Sequence, residues 1–272
     1  IIASFGTTPG NVCVTATNGC GTGNQICKAV EIAKEQVVFM NYNLLNYPAQ
    51  STITSDTSTR NPYFRTIVQY ANPDILVAQE VTGQNGVDFF LINVLNSAGN
   101  NYSAGTFING FDTDNAIFFK TSKFTFVSNT PIETDLRDIS EFKLVHILSG
   151  DTIRIYSVHL KASNTAPDEA QRAQEVDTLR KYTNALPSGS NFIVCGDFNF
   201  YRSSESAYQK LLAVTPGVDG HFIDPIVMSG TWNNISFAPY HTQSPRVRAF
   251  GGGSTGGLND RFDLVLFSNA LM

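Results

Sequence analysis

The sequence predicts a layered α/β protein whose functional groups gather along one rim, and three observations support this. Four apolar runs rich in β-branched and aromatic residues each turn polar at their carboxyl ends. Three segments with helical spacing of apolar residues alternate with those runs, which excludes an all-β fold. The fourth run, Phe192-Ile193-Val194, opens into Cys195-Gly196-Asp197-Phe198-Asn199-Phe200-Tyr201. A buried strand ending in Asp-x-Asn sets an acidic and an amide side chain two residues apart on one face. Such a pair suits orienting a water and gripping a metal-bound phosphate.

In chain order, residues 11–30 (NVCVTATNGCGTGNQICKAV) alternate around a Gly/Asn-rich turn and predict a β-hairpin. Cys13 and Cys27 are equidistant from Cys20 at its tip, so they can face each other as a cross-strand disulfide that leaves Cys20 free. Three Cys at this spacing match no zinc pattern. An isolated hairpin is marginal in water, so residues 1–35 are expected to need further strands or a neighbour. Val37-Val38-Phe39-Met40 then runs as a strand into Asn41-Tyr42-Asn43, and Tyr47 to Thr59 reads as a surface loop.

Ser58 to Tyr70 is expected to be helical, with Phe64, Ile67 and Val68 on one face and a stop before Pro73. Asp74-Ile75-Leu76-Val77-Ala78 is a strand leading into Gln79-Glu80. A second helix over Asn85 to Ser97 carries Val87, Phe90, Leu91, Val94 and Leu95. Ile153 to Val158 is a strand leading into His159-Leu160-Lys161. The third helix, Pro167 to Leu186, opens with Pro, Asp168 and Glu169, and repeats Ala170, Ala173, Val176 and Leu179 toward a sheet. Cys195 reads as a small buried hydrophobe.

The last third is loop-rich. Tyr240-His241-Thr242-Gln243-Ser244-Pro245-Arg246 leads to Gly251–Gly257, too glycine-rich for a helix or a central strand. No Lys-Ser/Thr follows it, so it is expected to be a substrate-facing loop rather than a phosphate cradle. No amphipathic, aromatic-tipped loop stands out.

At 272 residues the chain fits one large domain with an appendage. A net charge of −5 argues against coating nucleic acid through a basic stripe, but not against local phosphate contacts. Lys161, Arg202, Arg246 and Arg248 are the candidates for those contacts, with Arg202 and Arg248 reading more readily as solvated charges. Hydrophobic content is 42% and charged content only 15%, which leaves much of the surface to Asn, Ser, Thr and Gly, as in many secreted proteins. No leader and no apolar run long enough to span a bilayer is visible.

The ordered set of motifs resembles the endonuclease/exonuclease/phosphatase superfamily, which is DNase I-like. The matching pieces are Asn43 in NYNLLNY, Glu80 in PDILVAQEV and the strand DNAIFFK at 114–120. They continue with His159 in YSVHLKA, Asp197 and Asn199 in CGDFNFY, and Asp263 in DRFDLVLFS. The resemblance covers residues 36–272 and implies an α/β (α+β) four-layered sandwich of two mostly antiparallel sheets between helical layers. The hairpin before it resembles the last strands of a PKD-type immunoglobulin-like module. A larger, multidomain secreted or cell-surface protein is the expected context.

Family members close with Ser-Asp-His, and none occurs in these residues. The expectation is a chain truncated at its carboxyl end that binds metal yet turns over poorly. By the resemblance, Asp263 would orient the missing His. Glu80 and Asn43 are the expected holders of Mg²⁺, with Mn²⁺ or Ca²⁺ as alternatives. Asp197 would orient or deprotonate the attacking water and Asn199 would hold the phosphate. His159 would protonate the leaving oxygen or contact phosphate. Lys161, Tyr201, His241 and Arg246 are the candidate substrate-binding residues. The implied activity is phosphoric ester hydrolysis, with nucleic acid as the expected substrate. The alternatives are a sphingomyelinase-like or phosphomonoester hydrolase, and a catalytically impaired binding or adhesion module.

Overall fold

A computed structural model describes residues 10–15, 17–18, 21–22, 24–30, 35–48, 57–247 and 256–272. Two compact units divide the chain, Ile1–Val37 and Val38–Met272. In the first, strand β1 (Gly10–Val14) and the later β4 (Ile26–Val30) form an antiparallel pair, while β2 (Thr17–Asn18) and β3 (Gly21–Thr22) form a second pair. The register sets Cys13 opposite Cys27, and Cys27 is disulfide-bonded. Cys20 lies outside the described residues, as do Arg248, residues 49–56 of the expected surface loop and 251–255 of the glycine loop.

The second unit is built on two mixed sheets. One holds β5 (Phe39–Tyr47), β6 (Ile75–Val81), β7 (Tyr102–Ala104) and β8 (Asp114–Lys120) in the order β5-β6-β8-β7. The other holds β9 (Phe124–Ile132), β10 (Ile139–His146), β11 (Thr152–His159), β12 (Asn191–Asp197) and β13 (Asp263–Phe267), from β13 to β9 in reverse order. β5 runs parallel to β6 and β11 parallel to β12; every other pair in the two sheets is antiparallel.

Strand alternation explains the layering, because successive side chains leave a strand on opposite faces. Ile75, Val77, Ile117 and Phe119 of the first sheet meet Phe142, Leu144, Ile155 and Ile193 of the second in a shared core. On the outer face of the first sheet, Leu76, Ala78 and Phe118 pack with Phe64 and Val68 of helix α1 (Thr57–Ala71). Val87 and Phe90 of α2 (Gly83–Phe90) and Val94 and Leu95 of the π-helical turn Leu91–Leu95 join them. On the outer face of the second sheet, Tyr156, Val158 and Val194 pack with Val176 and Leu179 of α3 (Ala166–Asn184) and Leu211 of α4 (Ser206–Leu212). Both faces of each sheet are therefore buried, and the central strands β6 and β12 carry near-continuous apolar runs before their polar ends. The result is the expected four-layered sandwich.

Two helix-face expectations need correction. Ile67 is 40% exposed, because Phe64 and Val68 already fill the inward stripe of α1. Ala170 is exposed, and α3 instead buries Arg172 and Glu175 beside Ala173, Val176 and Leu179.

Candidate active site

The parallel pairs bring four carboxyl-terminal strand ends to one rim. The β11–β12 register sets His159 beside Asp197, and the antiparallel β12–β13 register sets Asp263 on the other side of Asp197. A residue with a side chain is excluded at Gly196 (φ 145°), where an added Cβ would lie 1.9 Å from the Val158 carbonyl oxygen. That close approach of backbones is what glycine permits.

Opposite them, β5 and β6 break register at the same level, between Asn43 and Tyr47 and between Ala78 and Val81. Bulges of this kind re-aim side chains beside functional sites. Leu45, Asn46 and Glu80 take left-handed backbone (φ 49°, 50° and 56°), strain that clusters where function over-determines a conformation. The bulges turn Glu80 toward the rim, where its Oε2 accepts from the Asn46 amide at 3.1 Å. Asn43 Nδ2 donates to Glu80 Oε1 at 2.9 Å and to Asp197 Oδ2 at 3.1 Å. Asn43 Oδ1 accepts from the Leu45 amide.

His159 Nε2 lies 3.9 Å from Glu80 Oε1 and 4.0 Å from Asp197 Oδ2. Asp263 Oδ1 accepts from Asn41 Nδ2 at 3.3 Å. Asn41 Oδ1 in turn accepts from Gln79 Nε2 at 2.8 Å, and that amide also reaches Ser157 Oγ at 3.0 Å. β12 ends at Asp197, and Asn199 (φ 52°) follows in a turn closed by its amide on Asp197 Oδ1. The two side chains are thus joined by a turn rather than by strand alternation, and one Asn199 N–H holds the Leu160 carbonyl.

Crowding sets the electrostatics. Burial, and then Glu80, push the Asp197 carboxyl up to about 7. Burial, and then Asp197, push Asp263 well above the ordinary range, and burial raises Glu80. His159 is driven down to about 3 by burial and then by Arg137, so its ring is neutral, and its buried Nδ1 has no partner among the described residues. Each shift disfavours charge, as expected of groups gathered in a partly dry cleft. Asn43, Glu80, His159, Asp197, Asn199, Tyr201, Arg246 and Asp263 all line one cavity of about 1410 Å³.

Two expected residues point elsewhere. Lys161 does not line the cavity; its Nζ bonds Asp168 at 3.0 Å and the Ala162 carbonyl, because Asp168 closes the amino-terminal cap of α3. His241 is a strut, with Nε2 2.8 Å from the Trp232 carbonyl oxygen and Nδ1 3.2 Å from that of Leu258. Arg202 pairs with Glu169. Gln79, Asn41, Arg60 and Arg137 escaped the sequence reading. Asn41 lies two residues before Asn43 on the same strand, a spacing that could have flagged it. Phe111, 95% exposed in the stretch before β8, is an exposed aromatic that the sequence did not announce.

The fold is shared with several solved structures. Truncated TDP2 of Caenorhabditis elegans is 21% identical, with a TM-score of 0.56 over 85% of this chain and 83% of its own. A mannosyl-6-phosphatase of Bacteroides thetaiotaomicron is 20% identical, with a TM-score of 0.56 over 86% of each chain. D. rerio TDP2 complexed with single strand DNA product is 13% identical, with a TM-score of 0.56 over 85% of this chain and 83% of its own. No curated protein matches the chain. The model of the Endonuclease/Exonuclease/phosphatase family matches residues 40–272, a span that holds both sheets and every residue of the rim. The chain belongs to the endonuclease/exonuclease/phosphatase family.

Proposed function

We propose that this phosphoric ester hydrolase is a divalent-metal-dependent phosphodiesterase that acts on nucleic acid outside the cell. The observation that carries the reading is the convergence of Glu80, Asp197 and Asp263 on one cavity rim, with the Asn43 amide bonded to both of the first two. Hard oxygen donors of this kind fit Mg²⁺. Among the described residues no group of three or more His, Cys, Asp or Glu is placed to hold a metal ion. That is compatible with Mg²⁺, which keeps several waters and takes one or two carboxylates. Glu80 would hold it, with Mn²⁺ or Ca²⁺ able to use the same carboxylate, while Asn43, whose oxygen is taken by the Leu45 amide, would aim Glu80 through its nitrogen. When bound, the ion supplies charge neutralisation at a phosphoryl group.

The chain's own groups do the rest. Asp197, whose carboxyl burial and Glu80 push upward, is placed to take a proton from an attacking water. Its two oxygens are aimed by the Asn199 amide and the Asn43 side chain. Neutral His159 donates a hydrogen bond to a phosphate oxygen rather than a proton to the leaving group. Asp263 is held by Asn41 beside Asp197, where burial and Asp197 disfavour its charged form. A cavity of this size accommodates a chain-like substrate, and the single strand DNA product held by D. rerio TDP2 is compatible with it. The disulfide at Cys27 and the Asn/Ser/Thr-rich composition favour an oxidising, extracellular setting.

A lipid phosphodiester is the second reading, favoured by the exposed Phe111. A panel of single-stranded DNA, RNA, sphingomyelin vesicles and inositol phosphates, each with Mg²⁺ and with EDTA, tests both. Metal-dependent cleavage of nucleic acid alone is the expected result, and preferential sphingomyelin cleavage overturns it.

A further inference from the structure

Among the described residues Arg60 forms no ion pair, and the carboxylate whose charge acts on it is Glu80. It stands on α1 with its Nη2 donating to the Leu44 carbonyl. Its Cζ lies 5.6 Å from the centre of the Tyr47 ring and 5.2 Å from that of Phe64. Among the described residues its Nη1 is buried with no hydrogen-bond partner. By contrast Arg137, Arg154, Arg172, Arg202 and Arg261 each hold a carboxylate. Arg246 lines the same cavity, and its charge adds to the burial that lowers the Arg60 pKa. A buried guanidinium nitrogen left without an acceptor is costly unless a ligand supplies one.

What surrounds the pair narrows the anion. Tyr63, three residues along the same helix face, is 70% exposed at the cavity wall. The carboxylates of Glu80 and Asp197 line the same cavity. Its volume of about 1410 Å³ exceeds the roughly 300–1,000 Å³ of ordinary small-ligand sites. One phosphate at the carboxylate rim would leave most of that space unused. Guanidinium forks match phosphate oxygens two at a time, and an exposed tyrosine offers a face on which a base stacks.

We propose that Arg60 and Arg246 hold a second, non-scissile phosphate of a single-stranded nucleic-acid chain, with an adjoining base stacked on Tyr63. The assignment rests on the phosphodiesterase reading above and specifies its substrate. A monophosphorylated sugar or sphingomyelin has no second phosphate to place there.

The test is binding, in EDTA, of a fluorescein-labelled single-stranded oligothymidylate followed by anisotropy across a salt series. Thymidine monophosphate, 5′-phosphorylated thymidine dinucleotide and pyrophosphate serve as competitors. The dinucleotide should displace the oligomer at concentrations at least tenfold lower than the monophosphate. Arg60→Gln and Arg246→Gln should each weaken oligomer binding about tenfold or more and lower the salt slope by about 0.7. Tyr63→Ala should weaken binding about tenfold with the slope kept. Tyr63 is exposed, so this variant keeps the test alive if Arg60→Gln disturbs the packing around Tyr47. Lys181→Gln, exposed on α3, controls for net charge.

Equal displacement by monophosphate and dinucleotide, or variants that all bind as the parent does, overturns the proposal. Displacement by pyrophosphate as good as by dinucleotide, with Tyr63→Ala silent, also overturns it. Variant-sensitive binding without hydrolysis would instead count against the phosphodiesterase reading. Hydrolysis with variant-insensitive binding would count against this subsite alone.

Discussion

Asn43 on β5 and Asp197 on β12 meet across the two sheets, joined by a 3.1 Å hydrogen bond from the amide nitrogen to Oδ2 although 154 positions separate them. The same nitrogen holds Glu80 Oε1 at 2.9 Å, so one neutral donor separates two buried carboxylates. Asn43→Asp exchanges that donor for a third acceptor. In EDTA the variant should lose about 1–3 kcal/mol of stability, and saturating Mg²⁺ should raise its Tm more than it raises that of the parent. Thermal melts with and without metal check this. Equal Tm values in EDTA would contradict the bridging role.

Stability should fall with rising pH near neutrality when metal is removed. Asp197 titrates near 7 in the folded chain against 3.8 ordinarily, and Asp263 and Glu80 shift the same way. A raised folded pKa gives stability that is complete below the unfolded value and lost as pH climbs through the folded one. His159 acts oppositely: its contribution is complete above 6.5 and lost as pH falls toward about 3. From pH 6.5 to about 8 only the acidic groups act, so Tm in EDTA should drop across that window. Mg²⁺ or Asp197→Asn should flatten most of the drop. Glu175, raised to about 7 by burial, lies outside the cavity lining and should leave a residual slope that Glu175→Gln removes.

Gly196→Ala should be among the most damaging single changes. Its Cβ would fall 1.9 Å from the Val158 carbonyl oxygen at a φ of 145°, and a loss of roughly 4 kcal/mol or more is expected for such backbone strain. Urea melts check it. A cost below about 1 kcal/mol would mean that β11 and β12 can separate freely.

The buried Arg172–Glu205 pair fixes the loop after His159. Arg172 bonds Glu205 Oε2 at 2.8 Å and the carbonyls of Lys161 and Ser163 at 2.8 and 2.6 Å. Arg172→Met leaves a buried carboxylate unpaired and should cost about 3–5 kcal/mol. A melt indistinguishable from that of the parent would show that the pair does not hold the loop.

Most of the rim was legible because strand ends announce themselves. β-branched runs that turn polar located Asn43, Glu80, His159 and Asp197, and a rigid sheet keeps such groups where the strands end. The β9–β10 hairpin was missed because Phe124 to Ile132 is half exposed and carries Pro131, so it lacks the continuous apolar run of the central strands. Bulges were invisible for a different reason: the left-handed backbone at Leu45, Asn46 and Glu80 falls on residues whose types do not call for it. Lys161 was misread because the same lysine suits a phosphate or a helix cap, and only the position of Asp168 decides between them. Arg60 went unnoticed because its meaning lies in one buried nitrogen that finds no hydrogen-bond partner among the described residues.

The most direct measurement is turnover of bis-nitrophenyl phosphate by the parent and by Glu80→Gln in Mg²⁺ and in EDTA, paired with calorimetric titration of Mg²⁺ into each. The account predicts turnover only in the parent with metal, and a Mg²⁺ binding heat that Glu80→Gln abolishes while its Tm in EDTA does not fall. Undiminished turnover in EDTA, or a Glu80→Gln variant that binds Mg²⁺ and works like the parent, would contradict it.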